Sequence, residues 1–345
     1  MSKILSVTIV TPTYNSMRTL SEYMNAIAGQ DYPHDKLDLV IADGGSTDGT
    51  VEKLKEYASK LDFKINVYEN PLRTAEAGKA VGVRKATGDV VLLLDSDNII
   101  PKADWLTRMM KPFEDEKIVA SEPIAYTWRE KDSVINRYCA LIGMNDPLCM
   151  FTGNYDRYCS VTGKWTEVER DEEDRGDYLA IRFTGGVIPT IGANGFIMRR
   201  RELCDNFSGD YLFDIDVLWE LFQKDADLRV AKVKTGIIHL FCPDIETFKR
   251  KQNRRVMDFL YFSDAKGRTY PWKKTGKGGI IKFSLCTVTC IPLILQAIKG
   301  NKRKHDPEAW RFHFKACWIT LITYGMGVIK SIFVKKPANR DGWKQ

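Results

Sequence analysis

Three short apolar runs in the first hundred residues each end abruptly in a polar motif, and this pattern limits the fold more than any other feature. Val7–Thr11 leads into Thr11-Pro12-Thr13-Tyr14-Asn15, and Leu37–Asp43 leads into Asp43-Gly-Gly-Ser-Thr-Asp-Gly-Thr50. Val90–Leu94 leads into Asp95-Ser96-Asp97. Short β-rich apolar runs bounded by turn residues read as buried strands. Between them, helical spacing covers about Thr19–Gly29, Thr47–Lys60 and Ala75–Ala86, with a further strand at Phe63–Tyr68. Alternation of strand and helix predicts an α/β fold, a mainly parallel sheet flanked by helices on both faces. Ligands of such sheets collect beyond the carboxyl ends of the strands, where all three polar motifs would lie.

The chemistry of the motifs fits that position. Alternate residues of an extended chain point the same way, so Asp95 and Asp97 can face one ligand. Two such carboxylates suit Mg²⁺ or Mn²⁺, which keeps waters and takes further oxygens from phosphates. A DxD triplet is common on solvated turns; its place directly after a fully apolar strand is what marks this one. Asp43 offers a carboxylate to a base or ribose, and the glycines after it allow close backbone approach. The same segment could serve only as a turn with a helix cap.

In combination, VTIVTPTYN, VIADGGSTDGT, an Ala-rich helix ending in ATGD at Asp89, and LLLDSDN resemble glycosyltransferase family 2 with its GT-A fold. The resemblance is close over residues 5–120 and looser to about 255. It implies that Pro12, Tyr14 and Asp43 line a nucleoside pocket, with Asp43 contacting the base, and that Arg73 lies near the nucleotide. Asp95 would touch ribose or sugar, and Asp97 would bind the metal that bridges the diphosphate. One departure stands out. The family commonly has Arg-Asn in the Ala-rich helix where this chain has Gly78-Lys79, and Lys79 is the candidate to supply the positive charge instead.

The family's general base is a carboxylate beyond a Gly-rich strand turn and an Arg-Arg pair. Here Ile191-Gly-Ala-Asn-Gly-Phe196 and Arg199-Arg200 lead to Phe213-Asp-Ile-Asp-Val-Leu218. Asp216 is the first choice for base and Asp214 the competitor, because Asp-Ile-Asp replaces the usual Glu-Asp; either could instead be a helix cap. His239, ending the run Thr235-Gly-Ile-Ile-His, matches a histidine near the metal or diphosphate, although a lone histidine after a strand is often structural.

Charge divides the chain. From Lys249 to Gln345 there are 22 Lys/Arg against 5 Asp/Glu, whereas the preceding residues hold 30 basic and 40 acidic groups. A basic tail on an acidic body seeks something anionic, and apolar stretches inside the tail favour a membrane surface over nucleic acid. Ile280–Ile298 carries one charge, Lys282, and a central Pro292; Ala316–Ile329 carries none. As helices they would be about 28 and 21 Å long, against roughly 30 Å of hydrocarbon, the second lengthening if Phe312 and Phe333 extend it. A spanning hairpin would also strand Lys299, Lys302, Arg303, Lys304 and Arg311 on the disfavoured side. Helices or a short hairpin in the cytoplasmic leaflet fit better; a pair of helices buried on the body is the plainer alternative. The segment Lys249-Arg-Lys-Gln-Asn-Arg-Arg255 could meet donor phosphates, a phospholipid headgroup or a phosphorylated acceptor.

No secretory signal is recognisable at the N-terminus, which argues for the cytoplasm. Eight scattered cysteines without a CxxC pair read as reduced thiols. The expected organisation is a GT-A domain over 1–255, with a nucleotide-binding half at 1–120 and an acceptor half at 121–255. A basic helical membrane-associated region would follow at 256–345. The expected activity is inverting, metal-dependent transfer of a sugar from a UDP- or GDP-sugar to a lipid-linked acceptor in cell-surface glycan or protein-glycosylation assembly. A polyprenyl-phosphate sugar synthase is the alternative within the class. Outside it stand a nucleotidyltransferase, for which PTYN lacks a Gly-rich phosphate loop, and a non-catalytic membrane scaffold, against which the intact carboxylates argue.

Overall fold

Val7–Thr13 is buried at every position and forms the central strand from which the sheet is built. The computed structural model describes residues 3–264, 268–271 and 276–333, the backbone alone at 261–264, 277 and 331–333. In chain order the elements are β1 (Val7–Thr13), α1 (Met17–Ala28), β2 (Leu37–Asp43), α2 (Thr50–Ala58), β3 (Lys64–Glu69), α3 (Ala75–Lys85), β4 (Val90–Leu93) and β5 (Asn98–Ile99). There follow α4 (Trp105–Met110), β6 (Ile118–Tyr126), α5 (Val134–Ile142), α6 (Leu148–Thr152), β7 (Arg170–Asp174), β8 (Tyr178–Phe183), β9 (Phe196–Arg199) and α7 (Arg200–Asp205). The last are α8 (Asp214–Lys224), β10 (Arg229–His239), α9 (Ile245–Asp264), α10 (Lys277–Thr289), α11 (Ile291–Arg303) and α12 (Pro307–Phe333).

Each strand and helix expected in the first hundred residues is present, within a few residues of its expected ends. The strand order is β3-β2-β1-β4-β9-β6-β10-β8-β7, with β5 paired to β10. From β3 to β4 every pairing is parallel. The parallel character stops there: β9 runs antiparallel to β4 and to β6, and β8 antiparallel to β10 and β7. The sheet is therefore mixed, and the three polar motifs do share the carboxyl edge of its parallel half.

Two close approaches set that edge. Helix α3, capped by the Thr74 hydroxyl accepting from Ala77 N at 3.3 Å, turns two glycines onto β1. A β-carbon on Gly78 would stand 2.7 Å from Pro12 Cβ, and one on Gly82 only 2.2 Å from Val10 Cγ1. Helix α1 buries Leu20, Tyr23, Met24 and Ile27, a helical stripe, against the sheet.

The chain divides into two compact units, and the division differs from the expected cut at 255. One comprises residues up to Ile124, Glu169–Gly186 and Ile191–His239, and holds nearly all of the sheet. The other comprises Ala125–Val168, Val187–Thr190 and the chain from Leu240. Its core packs Ile135, Tyr138 and Ile142 of α5 with Phe248 of α9 and Trp310 and Phe312 of α12. The segment 125–168 thus belongs with the C-terminal helices because their apolar faces bury one another.

Within the second unit the stretch Ile280–Ile298 is not one helix. It breaks at Cys290, which takes φ 62°, and α10 and α11 meet at 95°. Pro292 sits in the first turn of α11, where its missing N–H costs nothing. Ala316–Ile329 lies within the longer α12, the one described helix long and apolar enough to cross a membrane. The Phe333 side chain and the basic stretch 334–345 lie outside the described residues.

On an open helix face Gly→Ala stabilises by about 1 kcal/mol. At Gly82 the sign reverses: Gly82→Ala forces the buried Val10 methyls aside and costs about 1–3 kcal/mol, read as a lower midpoint in chemical denaturation of the full chain.

Candidate active site

The three strand-end motifs are stitched to one another. Asn15 N donates to Ser46 Oγ at 2.9 Å, and Thr47 N donates to Asn15 Oδ1 at 2.9 Å. Ser16 N donates to Thr50 Oγ1 at 2.9 Å, and the Ser16 and Ser96 hydroxyls lie 2.9 Å apart. The PTYN turn, the DGGSTDGT loop and the DSD triplet therefore form one platform. Neither serine could be singled out from sequence, except that Ser96 lies between the two aspartates.

Asp43 organises the first part of this platform. Its Oδ1 accepts from Gly45 N at 2.9 Å and Ser46 N at 2.8 Å; its Oδ2 accepts from Thr13 Oγ1 at 2.7 Å and Ser46 Oγ at 2.6 Å. A carboxylate has about four lone-pair positions, and protein donors fill them all. Service to a nucleobase N–H requires the Ser46 hydroxyl to rotate away. Beside Asp43, an added β-carbon on Gly44 would contact Arg73 Cα at 3.3 Å and Tyr14 Cδ2 at 3.4 Å. Tyr14 and Arg73 thus flank one glycine, both exposed, and Arg73 takes φ 61° to do so. Pro12 is buried beneath Gly78 and shapes this wall from behind.

Lys79 occupies the centre of the site. The glycine-lined contact of α3 with β1 leaves Lys79 buried at 6% exposure, its Nζ 3.6 Å from Asp95 Oδ1 and 3.8 Å from Asp214 Oδ2. Burial works against its charge, but Asp95, then Asp214 and Glu76, outweigh it and hold the ammonium above its ordinary range. Burial raises the carboxyl of Asp95. It raises Asp214 more, to about 6, against the pull of Lys79. Asp95 Oδ1 and Asp214 Oδ2 are buried without a hydrogen-bond partner, which is costly unless a ligand donates to them.

Asp214 reaches this position from far along the chain. Leu212 N donates to Glu76 O at 3.0 Å, tying the lead-in of α8 to α3. Gly192, at φ 126°, lies against Asp214 so closely that a β-carbon would stand 2.6 Å from Asp214 Cβ. Gly192 N in turn donates at 3.3 Å to Glu122, which is fully buried and ion-paired to fully buried Lys232. Asp216, the first choice for base, is buried two residues further on. It is Asp214 that faces Lys79 and Asp95, and the reason is that residues two apart on a helix diverge by about 200°.

At the other side of the triplet, the antiparallel β5–β10 pairing sets His239 opposite Asn98. His239 Nε2 comes within 3.7 Å of Asp97 Oδ1, which also accepts from Asn98 Nδ2 at 2.9 Å. Carboxylate and imidazole are donors that a divalent cation takes. Among the described residues no group of three or more His, Cys, Asp or Glu could hold a metal alone. Such a donor set fits a cation that completes its shell with water and phosphate oxygens.

Residues 8–138 match the family model described as glycosyl transferase family 2. Through this region the chain belongs to glycosyltransferase family 2. It is 32% identical over 99 residues to the poly(ribitol-phosphate) beta-N-acetylglucosaminyltransferase TarS of Staphylococcus aureus, 29% of this chain and 17% of that protein. It is 28% identical over 118 residues to a dolichyl N-acetyl-alpha-D-glucosaminyl phosphate 3-beta-D-2,3-diacetamido-2,3-dideoxy-beta-D-glucuronosyltransferase of Methanococcus voltae, 34% of this chain and 36% of that protein. The matches thus span well under half the length of these curated relatives. In fold, the family 2 chain is similar to the mannosyltransferase PcManGT of Pyrobaculum calidifontis, solved with GDP-Man and Mn²⁺. That likeness has a TM-score of 0.54 at 16% identity, over 97% of this chain and 89% of that one. It shows the GT-A fold.

Replacing Lys79 by Met leaves two partly buried carboxylates, each with one buried oxygen, without the cation between them. Breaking a buried pair in this way costs about 3–5 kcal/mol. With the cation gone the carboxyls are neutral more readily, so their folded pKa values rise further. The loss is therefore largest above pH 7 and shrinks as pH falls towards 5, measured by denaturation of wild type and Lys79→Met across that range.

Proposed function

We propose that this chain is an inverting, metal-dependent glycosyltransferase moving a sugar from a UDP- or GDP-sugar to a lipid-linked acceptor. The observation that carries the reading is Lys79 held between Asp95 and Asp214 at the carboxyl edge of the parallel strands, beside Asp97 and His239. In this reading the nucleoside lies along Tyr14, Asp43 and Arg73, and Asp95 Oδ1, which is ion-paired to Lys79 but has no hydrogen bond, accepts from a sugar or ribose hydroxyl. Asp97 and His239 are the residues that would hold Mn²⁺ or Mg²⁺. The cation, when bound, supplies positive charge to the departing diphosphate.

Asp214 is the base in this scheme. An acceptor hydroxyl gives its proton to the Asp214 carboxylate as its oxygen bonds to the anomeric carbon, and the bond to the nucleoside diphosphate breaks. A carboxyl raised to about 6 is ionised at neutral pH yet more basic than an exposed aspartate. Lys79 keeps it anionic and adds charge near the leaving group. The lipid-linked acceptor is supported by the dolichyl substrate in the name of the archaeal relative. The same reading puts the protein at the cytoplasmic face of a membrane. Exposed apolar residues such as Ile281, Leu285, Ile291 and Leu295 on α10 and α11 support it, as do Lys282 and Lys299 beside them.

Nucleotide release from UDP- and GDP-sugars with polyprenyl-linked acceptors tests the reading. Release should require Mn²⁺ or Mg²⁺ and vanish in Asp97→Asn. Asp214→Asn should lower kcat by about 10²–10⁴-fold, while Asp216→Asn stays within tenfold of wild type. Below about pH 6, kcat/KM should fall tenfold per pH unit as Asp214 protonates. Release with no metal, or an Asp216→Asn enzyme as inactive as Asp214→Asn, would contradict these assignments.

A further inference from the structure

The second unit contains a groove whose two walls differ in chemistry. One wall is a face of α9, with Lys249 and Arg250; the other is a face of α12, with Ile319, Ile322 and Met326, and with Lys330 towards its end. Its volume is about 400 Å³, within the range of small-molecule sites. The two helices approach closely alongside it, where Gly327 leaves room for Val256: a β-carbon there would lie 2.9 Å from Val256 Cγ1. Tyr324 OH donates to Asp146 Oδ2 at 2.6 Å and Gln252 Nε2 to Asn145 O at 2.7 Å, so both helices are anchored to the loop before α6.

Packed helices ordinarily bring apolar faces together, and here a cationic face looks across at an apolar one. Ile322 and Met326 remain 53% and 52% exposed, so no other part of the described chain covers that wall. Glu246 is the one acidic residue lining the groove, and its Oε1 lies 2.8 Å from Lys249 Nζ. Three cations against one carboxylate leave a balance of +2. A free anion would satisfy the cationic wall and leave the apolar wall wet. A plain hydrocarbon would do the reverse, stripping water from lysine and arginine heads. An amphiphile with an anionic head satisfies both. A phosphomonoester carries about −1.5 to −2 at pH 7, which matches the balance; the single charge of a phosphodiester leaves one cation uncompensated.

We propose that this groove binds a single-chain lipid phosphomonoester, its phosphate on Lys249, Arg250 and Lys330 and its hydrocarbon along Ile319, Ile322 and Met326. The inference rests on the reading above only in that the protein meets membrane lipids; the phosphomonoester is a lipid ligand of the groove and not the hydroxyl-bearing acceptor of that scheme, and the test does not use turnover.

Farnesyl phosphate, below its aggregation concentration, is titrated calorimetrically into the full chain beside farnesol, inorganic phosphate and dihexanoyl phosphatidylglycerol. The expected order has farnesyl phosphate at least tenfold tighter than each of the other three. A Lys249→Ala, Arg250→Ala double variant and a separate Met326→Ser variant, all at exposed positions, should each weaken it at least tenfold. Asp97→Asn should bind farnesyl phosphate as wild type does while losing metal-dependent nucleotide binding. Farnesyl phosphate binding without any nucleotide binding would sink the transferase reading and leave the groove standing. Equal affinity for farnesol, equal or tighter binding of phosphatidylglycerol, or indifference to the groove variants would each overturn the proposal.

Discussion

A buried ammonium between two partly buried carboxylates holds this site in its shape. Lys79 can stand there only because Gly78 and Gly82 let α3 settle onto β1 at distances no β-carbon tolerates. Once there, it links Asp95, at the end of β4, to Asp214, at the start of α8. Asp95 follows a strand of the parallel half and Asp214 opens a helix more than a hundred residues later, so the cation joins distant parts of the chain. Taking three charges out of water is expensive, and their mutual attraction offsets that cost only while all three are present. The arrangement trades stability for a fixed set of charges where a diphosphate and a sugar would lie.

The parallel half of the fold was legible because it is local. Buried strands written as VTIV, LDLVIAD and VVLL, with polar motifs directly after them, fix both the elements and the edge at which they end. Asp43, Asp95 and Asp97 could be named for the same reason. The antiparallel half was not legible, because β6, β9 and β10 pair through contacts distant in sequence that no local pattern announces. His239 was named through the family resemblance alone; what sets it beside Asp97 is the two-residue strand β5, which no local pattern announces. Two aspartates in Asp-Ile-Asp are equivalent on paper; only the docking of α8 against Gly192 and α3 separates them. The nearly uncharged run Ile280–Ile298 concealed the turn at Cys290, since Pro292 is compatible both with a kink and with a fresh helix start.

The two compact units divide the chemistry. The sheet unit carries every residue assigned to donor, metal and base, and its glycines and buried ion pairs serve that edge. The helical unit owes its core to α5, α9 and α12, yet leaves apolar side chains of α10, α11 and α12 uncovered and sets basic residues beside them. Contiguous uncovered apolar surface is the kind that serves as an interaction site, and the proposed lipid binding rests on the cations beside it. The segment Ala125–Val168 belongs with these helices because its apolar side chains are buried against theirs.

The most direct test is a crystal structure of the full chain with Mn²⁺ and a UDP- or GDP-sugar. The account predicts the nucleoside along Tyr14, Asp43 and Arg73, with the Ser46 hydroxyl turned from Asp43. It predicts the cation bound by Asp97 and the diphosphate, and the sugar within reach of Asp95 and Asp214. A nucleotide ordered anywhere else, or a cation that binds without Asp97, would contradict it.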